Sequence, residues 1–562
     1  MRKCDLVMKG GITSGIVYPA AVCELARDFE FANIGGTSAG AIAAALTAAA
    51  EYRRQNGSSA GFDELAGLPE WLGEIDGDRS RLLRLFQPIE SLAPLLDAFM
   101  RRSITALLHG FHRFSAAVAA TTAVMLAVIA AAAYALSPGA ISVGLIVVAL
   151  MVIAIGTVAY VIATVLDALF VAWRELPKNG FGICSGMGDN ALTQWLADKI
   201  DAIAQRPAEA PLTYGDLDRA GIHVEMMTTN LTHGRPYTLP FENNVFMFLP
   251  SELEQLFPKR IVDWLVAHSP RSDEGFYALP EPADLPVVVM ARMSLSFPIL
   301  LSAIPLYAVD FGRRDGHHPE RCWFSDGGIT SNFPVQFFDA PLPRWPTFAI
   351  NLAEQTPRYH APGQRVYLPS RNSAGIREWW MPFDSLIGFL AAIVNTMQNW
   401  RDNMLLRVPG YRDRIAHVLL APHEGGLNLT MDPATITDVA DRGREAAEIL
   451  RERFGQNPPP DTHLTWKNHK WVRFLTFMTA LEESMKTLVR GFRDPEAPSY
   501  EALVTGAEPL PSYKITGDAF QAIEHAALQF VQHAADDFYD DPFETPKKSP
   551  RPRPTLGLRP RM

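Results

Sequence analysis

Gly36-Thr37-Ser38-Ala39-Gly40 is the stretch that decides the fold, because it lies between a short apolar run and an alanine-rich stretch. Glycines on both sides of a serine permit a sharp turn from a strand into a helix, with the hydroxyl exposed at the end of the strand. The N-terminus of the following helix would stabilise negative charge that develops there. The pattern therefore indicates Ser38 as a candidate nucleophile, the alternative being an ordinary tight turn with a solvated serine.

A second glycine-rich turn lies upstream, at residues 10–15, between a predicted strand over residues 5–9 and a predicted helix over residues 16–27. Backbone N–H groups in such a turn can bind an anion. Neither the dinucleotide-binding spacing nor the Walker spacing is present, so an oxyanion is favoured over a phosphate. Two consecutive strand–turn–helix units predict adjacent parallel strands, with this turn and Ser38 at the same carboxyl edge.

A nucleophilic serine needs a base, and Asp326 is the candidate. It ends an apolar run and is followed by Gly327 and Gly328. A single Asp-Gly pair is usually only a turn. The histidines are in less suitable places, since His223 lies in a predicted strand and His233 in a polar loop. His317 and His318 lie in a charged loop.

Three motifs in this order give the chain a resemblance to the patatin-like phospholipases, which are lipid acyl hydrolases with a Ser–Asp dyad. The motifs are residues 9–15, residues 36–40 and residues 326–328, and further matches lie at residues 180–186, 228–234 and 291–298. The resemblance covers roughly residues 3–352. It implies an α/β fold with a mostly parallel sheet flanked by helices, Ser38 and Asp326 as the catalytic pair, and an acyl-enzyme intermediate. It also implies an oxyanion hole from Gly10, Gly11 and Ile12, a nucleophile elbow shaped by Gly36 and Gly40, and no cofactor or metal.

The chain departs from the family pattern at two positions of the first turn. The family commonly has a third glycine where this chain has Ile12, and a basic residue where this chain has Ser14. Oxyanion donors are backbone N–H groups, so Ile12 can still donate if its backbone conformation suits a side chain. We therefore expect the departures to affect the rate and the substrate rather than the class of reaction.

An inserted apolar hairpin is predicted within the catalytic region. No charged residue occurs from Ser115 to Leu166, and Ser137-Pro138-Gly139 divides this segment into residues 115–136 and 140–166. The first part would be about 33 Å long as a helix, enough to cross a hydrocarbon core of about 30 Å. The alternative is a helical hairpin buried in a soluble core.

The charged residues on either side of the hairpin predict its orientation. Arg101, Arg102 and Arg113 precede it, and Arg174 and Lys178 follow it. The positive-inside rule then predicts an integral protein of a bacterial-type inner membrane, with the catalytic domain on the cytoplasmic side. Residues 1–9 are too short for a signal peptide.

The composition limits the remaining possibilities. The chain has 562 residues, a net charge of −10 and four cysteines without CxxC spacing. The negative charge argues against nucleic-acid binding, and the cysteine spacing is typical of unpaired thiols in a reducing compartment. No cluster has metal-ligand spacing, so we predict no metal. The partners that the sequence predicts are membrane lipids, as substrate.

We expect three regions. Residues 1–352 form the catalytic domain, which residues 55–178 interrupt, residues 353–545 are mainly helical, and residues 546–562 form a disordered, basic, proline-rich tail. Within residues 378–406, aromatic side chains such as Trp379, Trp380, Phe389 and Trp400 suit a membrane interface, but core packing is the favoured interpretation.

The predicted function is a membrane-tethered hydrolase of fatty-acyl esters of phospholipids or lysophospholipids. Two alternatives remain open at this point. One is a catalytically weak membrane scaffold on the same fold, and the other is an esterase or acyltransferase that acts on substrates outside the bilayer.

Overall fold

The structure is a computed structural model. It describes all residues of the chain except 78, 102–113, 137–142, 244, 273–274, 315–317, 357, 375–379, 381, 427, 461, 495–499, 511, 541–549, 553–555 and 557–562. The predicted hairpin turn, Arg102, Arg113, His317, Trp379 and most of the predicted tail therefore lie outside the described residues.

The strands are β1 Arg2–Met8, β2 Phe29–Thr37, β3 Ile75–Asp76, β4 Arg79–Ser80, β5 Gly182–Cys184, β6 His223–Asn230, β7 Arg235–Leu239, β8 Met247–Phe248, β9 Tyr277–Ala278, β10 Ile299–Leu301, β11 Ile304–Val309, β12 Pro319–Asp326, β13 Thr347–Glu354, β14 Val366–Tyr367 and β15 Ile415–Leu420. The helices are α1 Val17–Leu25, α2 Ala39–Gln55, α3 Ala60–Ala66, α4 Leu68–Gly73, α5 Arg81–Arg84, α6 Ala93–Arg101, α7 Ser115–Leu136, α8 Val143–Glu175, α9 Leu192–Ala204, α10 Tyr214–Arg219, α11 Pro250–Leu253, α12 Lys259–Ala267, α13 Val287–Ser294, α14 Leu386–Leu405, α15 Pro433–Phe454, α16 Trp466–Phe492, α17 Tyr500–Val504 and α18 Asp518–Ala534.

The fold is α/β, as predicted, but its large sheet is mixed rather than mostly parallel. Its strand order is β14-β15-β13-β1-β2-β6-β12-β11-β8-β9, and β7 also pairs with β6. The five strands from β15 to β6 are parallel to one another, whereas the pairs outside them are antiparallel. The two strand–turn–helix units predict the parallel strands at the centre of the sheet. The antiparallel strands could not be predicted in this way, because they are joined by hairpins and have no glycine-rich turn into a helix.

Side chains alternate between the two faces of the central strands and build two cores. Leu6 and Met8 of β1 belong to the larger core, to which α1 and α2 contribute. Val7 points to the opposite face, where a smaller core includes Phe333 and Phe337. The polypeptide that follows Asp326 therefore covers the second face and is held close to the ends of the central strands.

The sheet continues beyond Leu352, because β14 and β15 come from the region that we expected to be mainly helical. β15 pairs in parallel with β13 over six residue pairs, from Ala349–Ile415 to Glu354–Leu420. α15 then packs closely on α1, where Gly443 lies against the backbone of Val17. Residues on both sides of position 352 thus share one sheet.

The structure confirms two long apolar helices in the predicted hairpin, α7 and α8, of 22 and 33 residues. They are antiparallel, since Asp167 accepts hydrogen bonds from the backbone N–H groups of Phe114 and Ser115, while Gly156 lies against Thr122. Both are long and apolar enough to cross a membrane. In their most apolar windows, 0% and 6% of the residues are buried, so the alternative of a hairpin inside a soluble core is wrong.

α8 continues without a break from its apolar part to an end that packs on the α/β fold. Near its end, Val171 packs against the larger core, as does Leu176 in the next turn. The chain then enters β5, which pairs in parallel with β10. The apolar hairpin is therefore joined to the rest of the α/β fold by a packed helix end.

The expectation that the aromatic side chains within the segment 378–406 pack in the core is wrong. Phe389 and Trp400 of α14 are 47% and 58% exposed, and Trp380 is 68% exposed. An apolar sequence pattern does not distinguish a helix that is covered by the protein from one that is not.

Candidate active site

Ser38 and Asp326 meet because of the register of three neighbouring strands. Thr37, the last residue of β2, pairs with Met227 of β6. Asp326, the last residue of β12, pairs with Thr228, which follows Met227. β12 is antiparallel to β6 and therefore runs opposite to β2, but its pairing with β6 stops at Thr228, so the ends of β2 and β12 meet beside neighbouring residues of β6. The two side chains are thereby placed on either side of one strand.

The turn at Ser38 has the conformation that a nucleophile elbow requires. Ser38 has φ 57° and ψ −127°, a region that side-chain-bearing residues rarely adopt. Gly36 is needed because a Cβ there would overlap the backbone of Gly40, and Gly40 is needed because a Cβ there would overlap the backbone of Met8. α2 therefore begins immediately after Ser38, and its N-terminus points at the site.

The Ser38 hydroxyl donates a hydrogen bond to Asp326, with 2.7 Å between Oγ and Oδ2. Both side chains are buried, at 3% relative exposure each. The other carboxylate oxygen of Asp326 accepts the backbone N–H of Gly328, at 2.7 Å. His223 and His233 bond to other groups, chiefly tyrosine hydroxyls, so neither of them orients the pair.

Burial raises the pKa of Asp326 from its ordinary value of 3.8 to about 7. The hydrogen bonds from Ser38 and Gly328 lower it, but by less than burial raises it. A carboxyl group with a pKa near neutrality is suited to accept and return a proton at physiological pH. The pair therefore has the geometry and the proton affinity of a nucleophile and its base.

The predicted oxyanion turn lies directly against Ser38. A Cβ on Gly10 would come within 2.9 Å of the Ser38 Cβ. The Gly10 N–H donates to the carbonyl of Asn332, at 2.8 Å, so it is already occupied. The N–H groups of Gly11 and Ile12 make no hydrogen bond with the described residues. Two of the three predicted donors thus remain available.

Ile12 can stand where the family has a third glycine because its φ is not positive. Its side chain contributes to an apolar cavity with an empty volume of about 690 Å³, which includes space open to solvent. Gly15 and Ala39, which follows the nucleophile, also line it, as do Leu46 and Trp195. The cavity therefore reaches Ala39, the residue next to Ser38.

Ser294 is a residue of the site that the sequence analysis did not single out. Its hydroxyl accepts the backbone N–H of Ser38, at 3.1 Å, and so supports the strained turn. On the same helix, Arg292 is fully buried and donates to Thr193, Ser296 and the carbonyl groups of Ser185 and Ser302. The quoted motifs at residues 180–186 and 291–298 were the available signal, since Arg292 joins them.

Asp402 and Asn332 were also missed. Asp402, near the end of α14, accepts hydrogen bonds from the Ser331 hydroxyl and from the backbone N–H groups of Asn332 and Phe333, each at 2.8 Å. Asn332 in turn accepts the Gly10 N–H. Lys9, whose pKa burial lowers to about 8, is attracted to Asp402 and donates to the Leu352 carbonyl. These contacts hold the predicted oxyanion turn in place.

The C-terminal end of the apolar hairpin leads towards this site. β5 follows the end of α8 and pairs with β10, with Ile299 opposite Gly182 and Leu301 opposite Cys184. β10 begins five residues after Ser294, whose hydroxyl contacts the Ser38 backbone. The end of the apolar hairpin is therefore connected to Ser38 through the β5–β10 pair and Ser294.

Comparison with known proteins identifies one full-length relative. No protein-family model matches the chain. The RpoH suppressor of Rhizobium meliloti (strain 1021) is 34% identical over an alignment of 649 positions, which covers 100% of this chain and 99% of the relative. Identity at this level over the whole of both proteins, including the hairpin and the C-terminal region, places them in one family. The chain belongs to the family of the Rhizobium meliloti RpoH suppressor.

Proposed function

We propose that this protein is a membrane-anchored serine hydrolase of the patatin-like type, which cleaves fatty-acyl esters of phospholipids or lysophospholipids. The observation that carries the proposal is the 2.7 Å hydrogen bond between the Ser38 hydroxyl and Asp326 at a strained strand-to-helix turn. A positive φ at a buried serine costs about 1–3 kcal/mol and persists where the geometry serves a function. Support for a scaffold without activity is weaker, since a scaffold needs no such strain.

The proposed reaction proceeds in two steps. Asp326 takes the proton of Ser38 as Oγ attacks the ester carbonyl, and the Gly11 and Ile12 N–H groups stabilise the oxyanion. Collapse of the tetrahedral intermediate breaks the ester bond, and Asp326 gives its proton to the departing alcohol. Water then attacks the acyl-enzyme while Asp326 takes a proton from it, the bond between the acyl carbon and Oγ breaks, and Asp326 returns the proton to Oγ, which releases the fatty acid and free Ser38. No cofactor takes part in these steps.

The substrate class follows from the surroundings of the pair. The apolar cavity beside Ala39 suits an acyl chain, since its walls offer almost no hydrogen-bonding groups. The short connection from α8 to Ser38 would keep the site close to lipid headgroups. Both features favour bilayer lipids over soluble esters.

Two measurements on the full-length protein in lipid nanodiscs test the proposal. A fluorophosphonate probe is expected to label the folded protein at Ser38 and to fail after denaturation, because reactivity depends on Asp326 and the turn. Vesicles of phospholipid, lysophospholipid or triacylglycerol are then compared by release of free fatty acid. The absence of any Ser38 adduct would favour the scaffold. An adduct with turnover of soluble esters only would favour an esterase.

The proposed orientation places both ends of the hairpin, and therefore the catalytic domain, on the cytoplasmic side of the inner membrane. Arg101 precedes α7, and Arg174 and Lys178 lie at the end of α8. Single cysteines near Arg101 or Lys178 are expected to react with an impermeant thiol reagent only after the membrane is broken. A cysteine between α7 and α8 is expected to react in intact cells. The reverse labelling pattern would contradict this orientation.

A further inference from the structure

α14 carries a continuous apolar stripe that the described residues do not cover. Leu386, Leu390, Ile393, Met397, Trp400 and Met404 follow one another at intervals of three and four residues, so they lie on one side of the helix. Each is between 41% and 73% exposed, and Phe389 and Val394, which flank the stripe, are also exposed. Contiguous apolar surface of this extent is characteristic of a binding surface.

The stripe is also free of charge. No Asp, Glu, Lys or Arg occurs from Leu386 to Trp400. Just before the helix, Trp380 and Phe383 are 68% and 52% exposed and add aromatic surface. Aromatic side chains beside an uncharged apolar face are typical of helices that lie in the interface of a bilayer.

The position of α14 points the stripe away from the protein. Asp402, which is 2% exposed, lies on the opposite side of the helix from Trp400 and Met404, at about 100° per residue. It holds Ser331, Asn332 and Phe333, the residues that follow the Asp326 turn. α14 is thereby attached to the edge of the sheet at which Ser38 and Asp326 meet.

The membrane hairpin reaches the same edge. α8 leads into β5, which pairs with β10 close to Ser294 and the Ser38 backbone. α8 and α14 thus approach the catalytic pair through two separate segments, one beside Ser38 and the other beside Asp326. Because the hairpin and α14 are both joined to this edge, a bilayer around α7 and α8 is the apolar phase that we expect the stripe to contact.

We propose that α14 is an amphipathic docking helix that lies in the membrane interface with the stripe towards the acyl chains. It is a second membrane contact, in addition to the hairpin, and it holds the edge with Ser38 and Asp326 against the lipid surface. The inference depends on membrane insertion of the hairpin and does not depend on hydrolysis, so it can be tested in an inactive protein.

The test is site-directed spin labelling of the full-length protein in phosphatidylcholine and phosphatidylglycerol vesicles. Cys23→Ser removes the half-buried native thiol, and single cysteines are introduced at Leu390 and Met397. Accessibility to oxygen, which concentrates in lipid, is compared with accessibility to a water-soluble nickel complex. We expect a several-fold higher oxygen-to-nickel ratio at these positions than in water, corresponding to about 5–10 Å of immersion.

Two matched positions calibrate the measurement. Asn395 is exposed on the side of α14 opposite the stripe, and a label there is expected to give the ratio of an aqueous site. Val158 of α8, which is 60% exposed, reports a site in the membrane hairpin. Equal ratios at Leu390, Met397 and Asn395 would overturn the proposal. Exclusion of both reagents from the stripe, with dipolar broadening between labels, would also overturn it and would assign the stripe to a second copy of the chain.

Discussion

Ser38→Ala is expected to reduce ester hydrolysis to the background rate without loss of the fold. The hydroxyl is the nucleophile of the proposed acyl-enzyme, and no other described hydroxyl or thiol bonds to Asp326. Removal of one hydroxyl from a turn should change the free energy of unfolding by about 1 kcal/mol at most. The measurements are fatty-acid release from vesicles, fluorophosphonate labelling and thermal unfolding of the same preparation.

Ser38→Gly is the matched control for this variant. It also removes the nucleophile, but glycine tolerates the positive φ at this position, whereas alanine keeps the strain. We expect the glycine variant to be as inactive as the alanine variant and more stable by about 1 kcal/mol. Wild-type turnover in either variant would assign the nucleophile to another residue.

Asp326→Asn is expected to lower kcat/KM by at least about 10²-fold, because it removes the general base and keeps the shape of the side chain. The amide can still accept the Gly328 N–H, so the turn should survive.

In the wild type, Asp326 must be ionised to act as base. With its pKa raised to about 7, activity is expected to rise with pH through neutrality.

Thermal unfolding gives a second measurement of the same substitution. Asp326 binds its proton more tightly in the folded protein than at its ordinary pKa of 3.8. Its contribution to stability is therefore complete below pH 4 and is lost as pH rises towards 7. The asparagine variant should gain stability relative to the wild type as pH rises from about 4 to about 7, because its amide does not titrate. Near-normal turnover of the variant would indicate another base, and His233 would be tested next.

The sequence predicted the parts of the site that depend on local structure. A serine between glycines determines a strand-to-helix turn, and the turn determines which edge of the sheet Ser38 occupies. Asp326 could also be predicted at the end of a strand, because it follows an apolar run and precedes two glycines. The direction of its strand could not be predicted. Either a parallel strand or an antiparallel strand of suitable register would bring the carboxylate to Ser38.

The missed residues act through contacts between distant segments. Ser294 lies 256 residues from Ser38, and Asp402 lies 70 residues from Asn332. Neither has a local pattern that distinguishes it from an ordinary buried serine or helical aspartate. The exposure of α14 was missed for a related reason, since periodicity identifies an apolar face but not what covers it.

The packed end of α8 has a consequence for how such an enzyme would meet its substrate. A helix of 33 residues is about 50 Å long, which exceeds the hydrocarbon core of about 30 Å, and its last turns pack on the catalytic core. The active site would then stay at a fixed height above one leaflet and travel with the anchor by lateral diffusion. The quantity that determines its rate would be the surface density of substrate lipid in that leaflet, and dilution of the vesicles would leave the turnover of each molecule unchanged.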